Sequence, residues 1–144
     1  MTSTTAQLNE LIEITRDGER FYQHAIEEVR DPNLQSLFRE MASAKTEVIQ
    51  ALTVRVAANH ETPSTGGTLM GTLRQVYADT RAALAKDEYA AYVGQLEQAE
   101  DRILHAFEDA LETAEPKVRE LIAVEMPKVR ACHDRMRSLK QSMA

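Results

Sequence analysis

The sequence has few of the residues that interrupt helices or cross-link a chain. Its 144 residues include five glycines, four prolines, one cysteine and no tryptophan. So few turn-forming residues are poorly suited to the many tight turns of an all-β fold, and abundant Ala, Leu, Glu, Gln and Arg favour helices. The single Cys132 cannot form an internal disulfide. We therefore expect an all-α protein.

The sequence also lacks an excess of positive charge and a long apolar run. Its 17 Lys and Arg against 23 Asp and Glu give a formal net charge of -6, which provides no basic footprint for nucleic acid or an anionic lipid surface. No run approaches the ~18 apolar residues of a membrane span. The N-terminal segment also lacks the apolar stretch of a secretory signal. The sequence thus predicts a soluble, cytoplasmic protein that binds neither nucleic acid nor membrane.

Apolar residues recur at three- and four-residue spacing along most of the chain, which is the pattern of amphipathic helices. Residues that end or begin helices divide this pattern at four places: Asp31-Pro32, the turn-forming stretch 59–67, Asp87 and Pro116. The predicted helices, within one domain of residues 1–144, span residues 5–30, 32–58, 68–85, 87–113 and 116–142. Pro127 lies inside the last helix and is expected to bend it.

The order of these helices is typical of a four-helix bundle with one long crossover that contains a short extra helix. A crossover helix of ~18 residues is ~27 Å long at 1.5 Å per residue, so it can carry the chain back along much of the bundle. This length allows the up-down-down-up connectivity of ferritin-like folds. A five-helix up-and-down array is the alternative.

An internal repeat relates the first helix to the helix over 87–113. Residues 19–29 align with residues 100–110 at a constant offset, and Glu19/Glu100 and His24/His105 are identical pairs. The chain therefore looks like two related helical hairpins around a pseudo-twofold axis. Both glutamates fall on the inward apolar stripe, so Glu19 and Glu100 are predicted to lie at equivalent depth. The two histidines point away from the stripe, which favours a solvated face or a subunit contact.

Two facing carboxylates in a core require a compensating cation, because burying an unpaired charge is costly. A metal ion is one candidate, since ferritin-like sites draw carboxylates and histidines from facing helices. The candidate metal ligands are three carboxylates and one imidazole: Glu19, Glu100, His133 and Glu125. The protein's own charge is the other candidate, supplied by Lys45 and Arg130. The sequence contains no Glu-x-x-His pair, which argues against a complete two-metal ferroxidase centre.

Short segments in the expected order resemble a known family over nearly the whole chain. They are Leu8-Asn9-Glu10-Leu11-Ile12-Glu13, Asp17-Gly18-Glu19, Asp31-Pro32-Asn33-Leu34, Leu37-Phe38-Arg39-Glu40, Glu97-Gln98-Ala99-Glu100-Asp101 and His133-Asp134-Arg135. Together they look like an uncharacterised family of bacterial ferritin-like four-helix-bundle proteins that is distantly similar to rubrerythrins. The resemblance implies a ferritin-like bundle in which Glu19, Glu100 and His133 face a metal or its vacated site. A shared fold does not by itself carry an activity.

Two functions stay open at the level of the sequence. The first is a ferritin-like protein with a degenerate, carboxylate-lined site for iron or another divalent metal, acting in iron or oxidative-stress handling. The second is a metal-free structural or partner-binding module with an internal Glu/Lys/His charge network. Its outer faces would bind a partner protein or a second copy of the chain, as in a homodimer. No serine-nucleophile or phosphate-binding motif points to a hydrolase or a nucleotide enzyme.

Overall fold

A computed structural model describes residues 4–59, 61–67, 76–80 and 89–143. Within these ranges the regular secondary structure is helical throughout. The four long helices are α1 (Thr4–Glu28), α2 (Pro32–Ala58), α3 (Ala90–Thr113) and α4 (Pro116–Ser142). Only residues 76–80 of the predicted crossover helix over 68–85 are described, and these five residues are helical. The predicted start of the next helix at Asp87 lies outside them as well.

Local signals fix the break between α1 and α2. Asp31 has an extended backbone, and its Oδ1 accepts hydrogen bonds from the backbone N–H groups of Asn33 and Leu34 at 2.8 and 3.2 Å. Pro32 occupies the first position of α2, where it needs no backbone donor. Asp31 is extended as the N-cap of α2, and Val29 and Arg30 form the connection to it, so α1 ends at Glu28 rather than at the predicted residue 30. The bounds of α2 and α4 agree with the prediction.

Contacts between the helices give their directions. Gln7, near the start of α1, donates a hydrogen bond to Thr113 at the end of α3, so these two helices are antiparallel. Short connections make α2 antiparallel to α1, and α4 antiparallel to α3. Packing also joins α2 to α4, where Lys128 pairs with Glu47. Among the described helices, α2 and α3 therefore run in the same direction, opposite to α1 and α4.

The core consists of two apolar clusters, and each receives residues from all four helices. Large, nearly inaccessible members of the first are Leu8, Ile12, Leu52, Ile103, Phe107 and Ile122. Those of the second are Phe21, Tyr22, Phe38, Tyr92, Leu96 and Met136. Along each helix the two clusters occupy opposite halves, and buried Lys45 and Glu100 lie between them. A charged layer therefore divides the core at its middle.

The stretch after α2 packs on the outside of α1. Ser64 donates hydrogen bonds to Asn9 and Glu13, and Arg16 donates to the Ser64 carbonyl at 2.8 Å. Further along α1, the His24 ring stacks on Tyr77 with centroids 4.3 Å apart, and its Nε2 lies 2.9 Å from the Tyr92 hydroxyl. His24 is therefore half-buried beneath the chain's own crossover, which corrects the expectation of a solvated face or subunit contact. None of the described helices carries an apolar stretch that could cross a bilayer.

Candidate functional site

A buried ion pair lies at the centre of the molecule. The Lys45 Nζ is 2.6 Å from Oε1 of Glu100 and donates a hydrogen bond to Oε2 at 2.8 Å. The two side chains are 4% and 0% exposed. The Tyr22 hydroxyl donates a second hydrogen bond to Oε2 at 2.6 Å. We call Tyr22, Lys45 and Glu100 the midplane cluster.

A glycine makes room for the lysine. Gly18 faces α3, and a Cβ atom at this position would lie 2.9 Å from Cδ1 of Ile103 and 3.7 Å from Cε of Lys45. The missing side chain therefore leaves space for the Lys45 stem to run from α2 towards Glu100 on α3. The stem packs among apolar groups, and its charged end reaches the carboxylate.

Burial sets the protonation of two groups around the pair. It raises the pKa of Tyr22 well above its usual value, and the negative charge of Glu100 raises it further. Tyr22 is therefore a neutral hydroxyl that keeps its proton and donates a hydrogen bond to the carboxylate. Burial also raises the pKa of the Cys132 thiol, although the nearby Lys45 ammonium partly opposes the shift. Cys132 is therefore a neutral thiol, as the sequence interpretation of a small buried residue expects.

Glu19 and Glu100 do not lie at equivalent depth. Glu19 is half-buried at the edge between α1 and α2, where its Oε2 accepts a hydrogen bond from Oγ1 of Thr46 at 2.5 Å. Arg130, the second predicted cation, is exposed on α4. The prediction that the two carboxylates lie at equivalent depth is wrong. Glu100 pairs with buried Lys45, whereas Glu19 accepts a hydrogen bond from the adjacent residue of α2, Thr46.

The predicted ligands on α4 have other surroundings. The His133 ring is buried at the edge between α3 and α4, with Nε2 3.2 Å from Asp101 and Nδ1 3.0 Å from Asp134. Glu125 is also buried, and its Oε1 has no hydrogen-bond partner among the described residues. Glu125 precedes Cys132 by seven residues, a separation of about 10 Å along the helix axis.

The four predicted ligands therefore occupy separate environments. Three of them already contact protein groups, and the fourth stands apart from them. Across the described part of the chain, no group of three or more His, Cys, Asp or Glu side chains is arranged to hold a metal ion. The orphaned Glu125 oxygen is a donor that a cation could use, but Glu125 belongs to no group of three such side chains among the described residues. These residues do not form a ligand set for one ion, and metal binding stays a prediction.

Sequence reasoning did not identify Tyr22 and Thr46 as partners of the two glutamates. Tyr22 follows Glu19 by three residues on the same apolar stripe, and Thr46 is adjacent to Lys45. A buried tyrosine hydroxyl normally finds a hydrogen-bond partner, so its position on the stripe was an available signal. Lys45 pairs with Glu100 rather than with Glu19 because of how the helices contact each other, and the apolar stripe does not specify those contacts.

The helical architecture and the buried charge pair define an all-α protein with a charged layer inside its core. The family model of a domain of unknown function, DUF2383, matches residues 3–113, so the chain belongs to the DUF2383 family. The match includes the whole midplane cluster and ends before α4 begins. A comparison with curated proteins finds no significant match.

Proposed function

We propose that the chain is a ferritin-like four-helix bundle in which Lys45 takes the place of a metal ion, and that it acts as a metal-free, partner-binding module. One observation carries this proposal. Both carboxylate oxygens of Glu100 lie within 2.8 Å of the Lys45 Nζ, so a protein ammonium already neutralises the carboxylate that is buried most deeply.

The surroundings of the pair support the same conclusion. A metal ion at Glu100 would have to displace the ammonium or lie beside it, and two cations in a low-dielectric core repel each other strongly. Tyr22 donates a hydrogen bond to Oε2 of Glu100, and Thr46 donates one to Glu19. Oε1 of Glu100 accepts no hydrogen bond among the described residues, but it lies 2.6 Å from the Lys45 ammonium. The cluster therefore offers few free donor atoms to an incoming ion.

The rival function is an iron or other divalent-metal site formed by Glu19, Glu100, His133 and Glu125. The unpartnered oxygen of Glu125 is the observation that favours it. This function requires side-chain rearrangement, because the first three residues now contact other groups. The two functions differ in one measurable property, which is stoichiometric metal binding by the purified protein.

Anaerobic ferrous titration followed by exposure to oxygen tests the proposal, together with elemental analysis of protein purified without chelator. We expect no stoichiometric metal, and no more binding by the wild type than by Glu19→Ala/Glu125→Ala, which leaves the buried ion pair intact. Circular dichroism checks that this variant is folded. Stoichiometric iron in the wild type that the double variant loses would overturn the proposal.

A further inference from the structure

Charge is distributed unevenly over the four helices. Helices α1 and α3 each carry six Asp and Glu, against two and one Arg respectively. Helix α4 carries seven Lys and Arg against three Asp and Glu. Because α1 packs directly against α3, the two acidic helices form one side of the molecule. Helix α4, the most basic helix, lies diagonally opposite α1. The protein is acidic as a whole but is positively charged along α4.

An open groove runs along the acidic side, between the N-terminal half of α1 and the C-terminal half of α3. Its volume is about 370 Å³. Apolar side chains, among them Leu11, Ile14 and Ala106, line the groove, and Glu10 and Asp109 add carboxylates to the lining. At the other end of α1, Tyr77 of the crossover packs on Phe21. The groove thus lies beyond the part of α1 that Tyr77 covers.

A complementary ridge lies on the outer face of α4. Four exposed apolar residues follow one another at helical spacing: Ala123, Val124, Pro127 and Ala131. Exposed Glu120 and Asp134 lie on the same face, beyond the two ends of this ridge. Val124 is 71% exposed, the highest value among the large apolar side chains described. A row of basic residues flanks this ridge on each side. The rows are Lys117, Lys128 and Arg135 on one side and Arg119, Arg130 and Arg137 on the other, and Lys128 also pairs with Glu47 of its own α2.

We propose that the α4 ridge of one copy binds the α1/α3 groove of a second copy. The apolar crest would cover the apolar lining, and the basic rows would face the acidic groove side, which is the helix-in-groove mode of recognition. The ridge and the groove lie on different sides of the molecule, so one pair of copies cannot make both contacts with each other. The contact is therefore head-to-tail and continues into a ring or an open chain.

This inference rests on the proposed function, because it names a second copy of the chain as the partner of the module. The test is the molecular mass of the full chain as a function of concentration and salt, by sedimentation velocity or light scattering. We expect the mass to rise above the 16.2 kDa of one chain with concentration, and to fall with added salt. A wild type that stays at one-chain mass at every concentration would overturn the proposal.

Two variants identify the surfaces. Val124→Glu places a carboxylate on the ridge, and Glu10→Arg/Asp109→Arg reverses the charge in the groove. All three positions are exposed, so the variants should fold. We expect each variant to have the mass of one chain. The matched controls are Val54→Glu, at an equally exposed position on α2, and Glu27→Arg/Glu40→Arg, which changes the net charge equally. These controls should associate like the wild type.

Mixing the two variants gives the decisive result. The ridge variant keeps an intact groove and the groove variant keeps an intact ridge, so the mixture should form a one-to-one dimer that neither variant forms alone. Failure of the mixture to associate, or equal losses in the controls, would overturn the head-to-tail contact. Iron binding would overturn the metal-free function without changing these masses, so the two proposals fail by different measurements.

Discussion

Replacing Lys45 by methionine tests the midplane cluster directly. Methionine keeps most of the apolar stem and removes the ammonium group. Glu100, which is fully buried, then keeps one hydrogen bond from Tyr22 and has no compensating positive charge in the cluster. Removing one member of a buried ion pair costs about 3–5 kcal/mol of unfolding free energy, because the other charge stays desolvated. For a domain of this size the loss corresponds to a fall in melting temperature of about 10–20 °C.

The chain contains a matched control for this substitution. Lys128 pairs with Glu47 at 2.8 Å, with side chains 39% and 59% exposed. Water solvates both groups after the pair is broken, so Lys128→Met should cost only about 0–1 kcal/mol. A comparison of the two Lys→Met variants therefore isolates the effect of burial.

The assay is urea unfolding at neutral pH, followed by circular dichroism. The double variant Lys45→Met/Glu100→Gln should regain more than half of the stability that Lys45→Met loses, since glutamine has no charge and still offers Tyr22 an acceptor. The reasoning is refuted if Lys45→Met loses no more stability than Lys128→Met. It is also refuted if Glu100→Gln does not recover the loss.

Three further predictions follow from burial and close packing. Cys132 should react with a thiol reagent only as fast as the protein opens, because the thiol is buried and its pKa is raised; rapid labelling of the native protein would contradict this. The raised pKa of Tyr22 stabilises the fold below about pH 10, and this contribution is lost as the pH rises further. Tyr22→Phe should therefore reduce the fall of the unfolding free energy above about pH 10. An unchanged slope of unfolding free energy against pH would contradict this. Gly67→Ala would place a Cβ against Asp17 and should cost about 1–3 kcal/mol in thermal or urea melts, whereas Gly66→Ala, with open space around it, is the neutral control.

Local chemistry explains why much of the fold could be predicted from the sequence. The Asp31-Pro32 break and the start of α4 at Pro116 depend on neighbouring residues, and both occur where predicted. The inward stripes also follow from spacing alone, which is why the sequence predicts that Glu100 lies in the core and offers Lys45 as a compensating cation. To predict that Lys45 lies near the carboxylates, it is enough to assume that the helices lie side by side. These features need no knowledge of how distant segments meet.

The features that sequence reasoning missed depend on contacts between distant segments. His24 and His105 are identical in the repeat, yet His24 packs under Tyr77 and His105 remains exposed. The crossover occurs once in the chain, so it breaks the symmetry that the repeat suggests. His133 lies on the predicted helix, but Asp101 and Asp134 hold it at the edge. Periodicity assigns a residue to a face, and the neighbouring helix decides which partner it contacts.

The number of buried cations accounts for the asymmetry of the two glutamates. The repeat places Glu19 and Glu100 on equivalent stripes, but Lys45 is the one Lys or Arg side chain that is buried among the described residues. Asp17 and Glu125 are also buried, but they keep 7% and 9% exposure, whereas Glu100 is fully inaccessible. A second carboxylate at the depth of Glu100 would therefore have no buried cation beside it, at a cost of several kcal/mol. Glu19 avoids this cost by staying half-buried, where Thr46 donates a hydrogen bond and water still reaches the side chain. A single buried lysine therefore converts a symmetric sequence repeat into an asymmetric site.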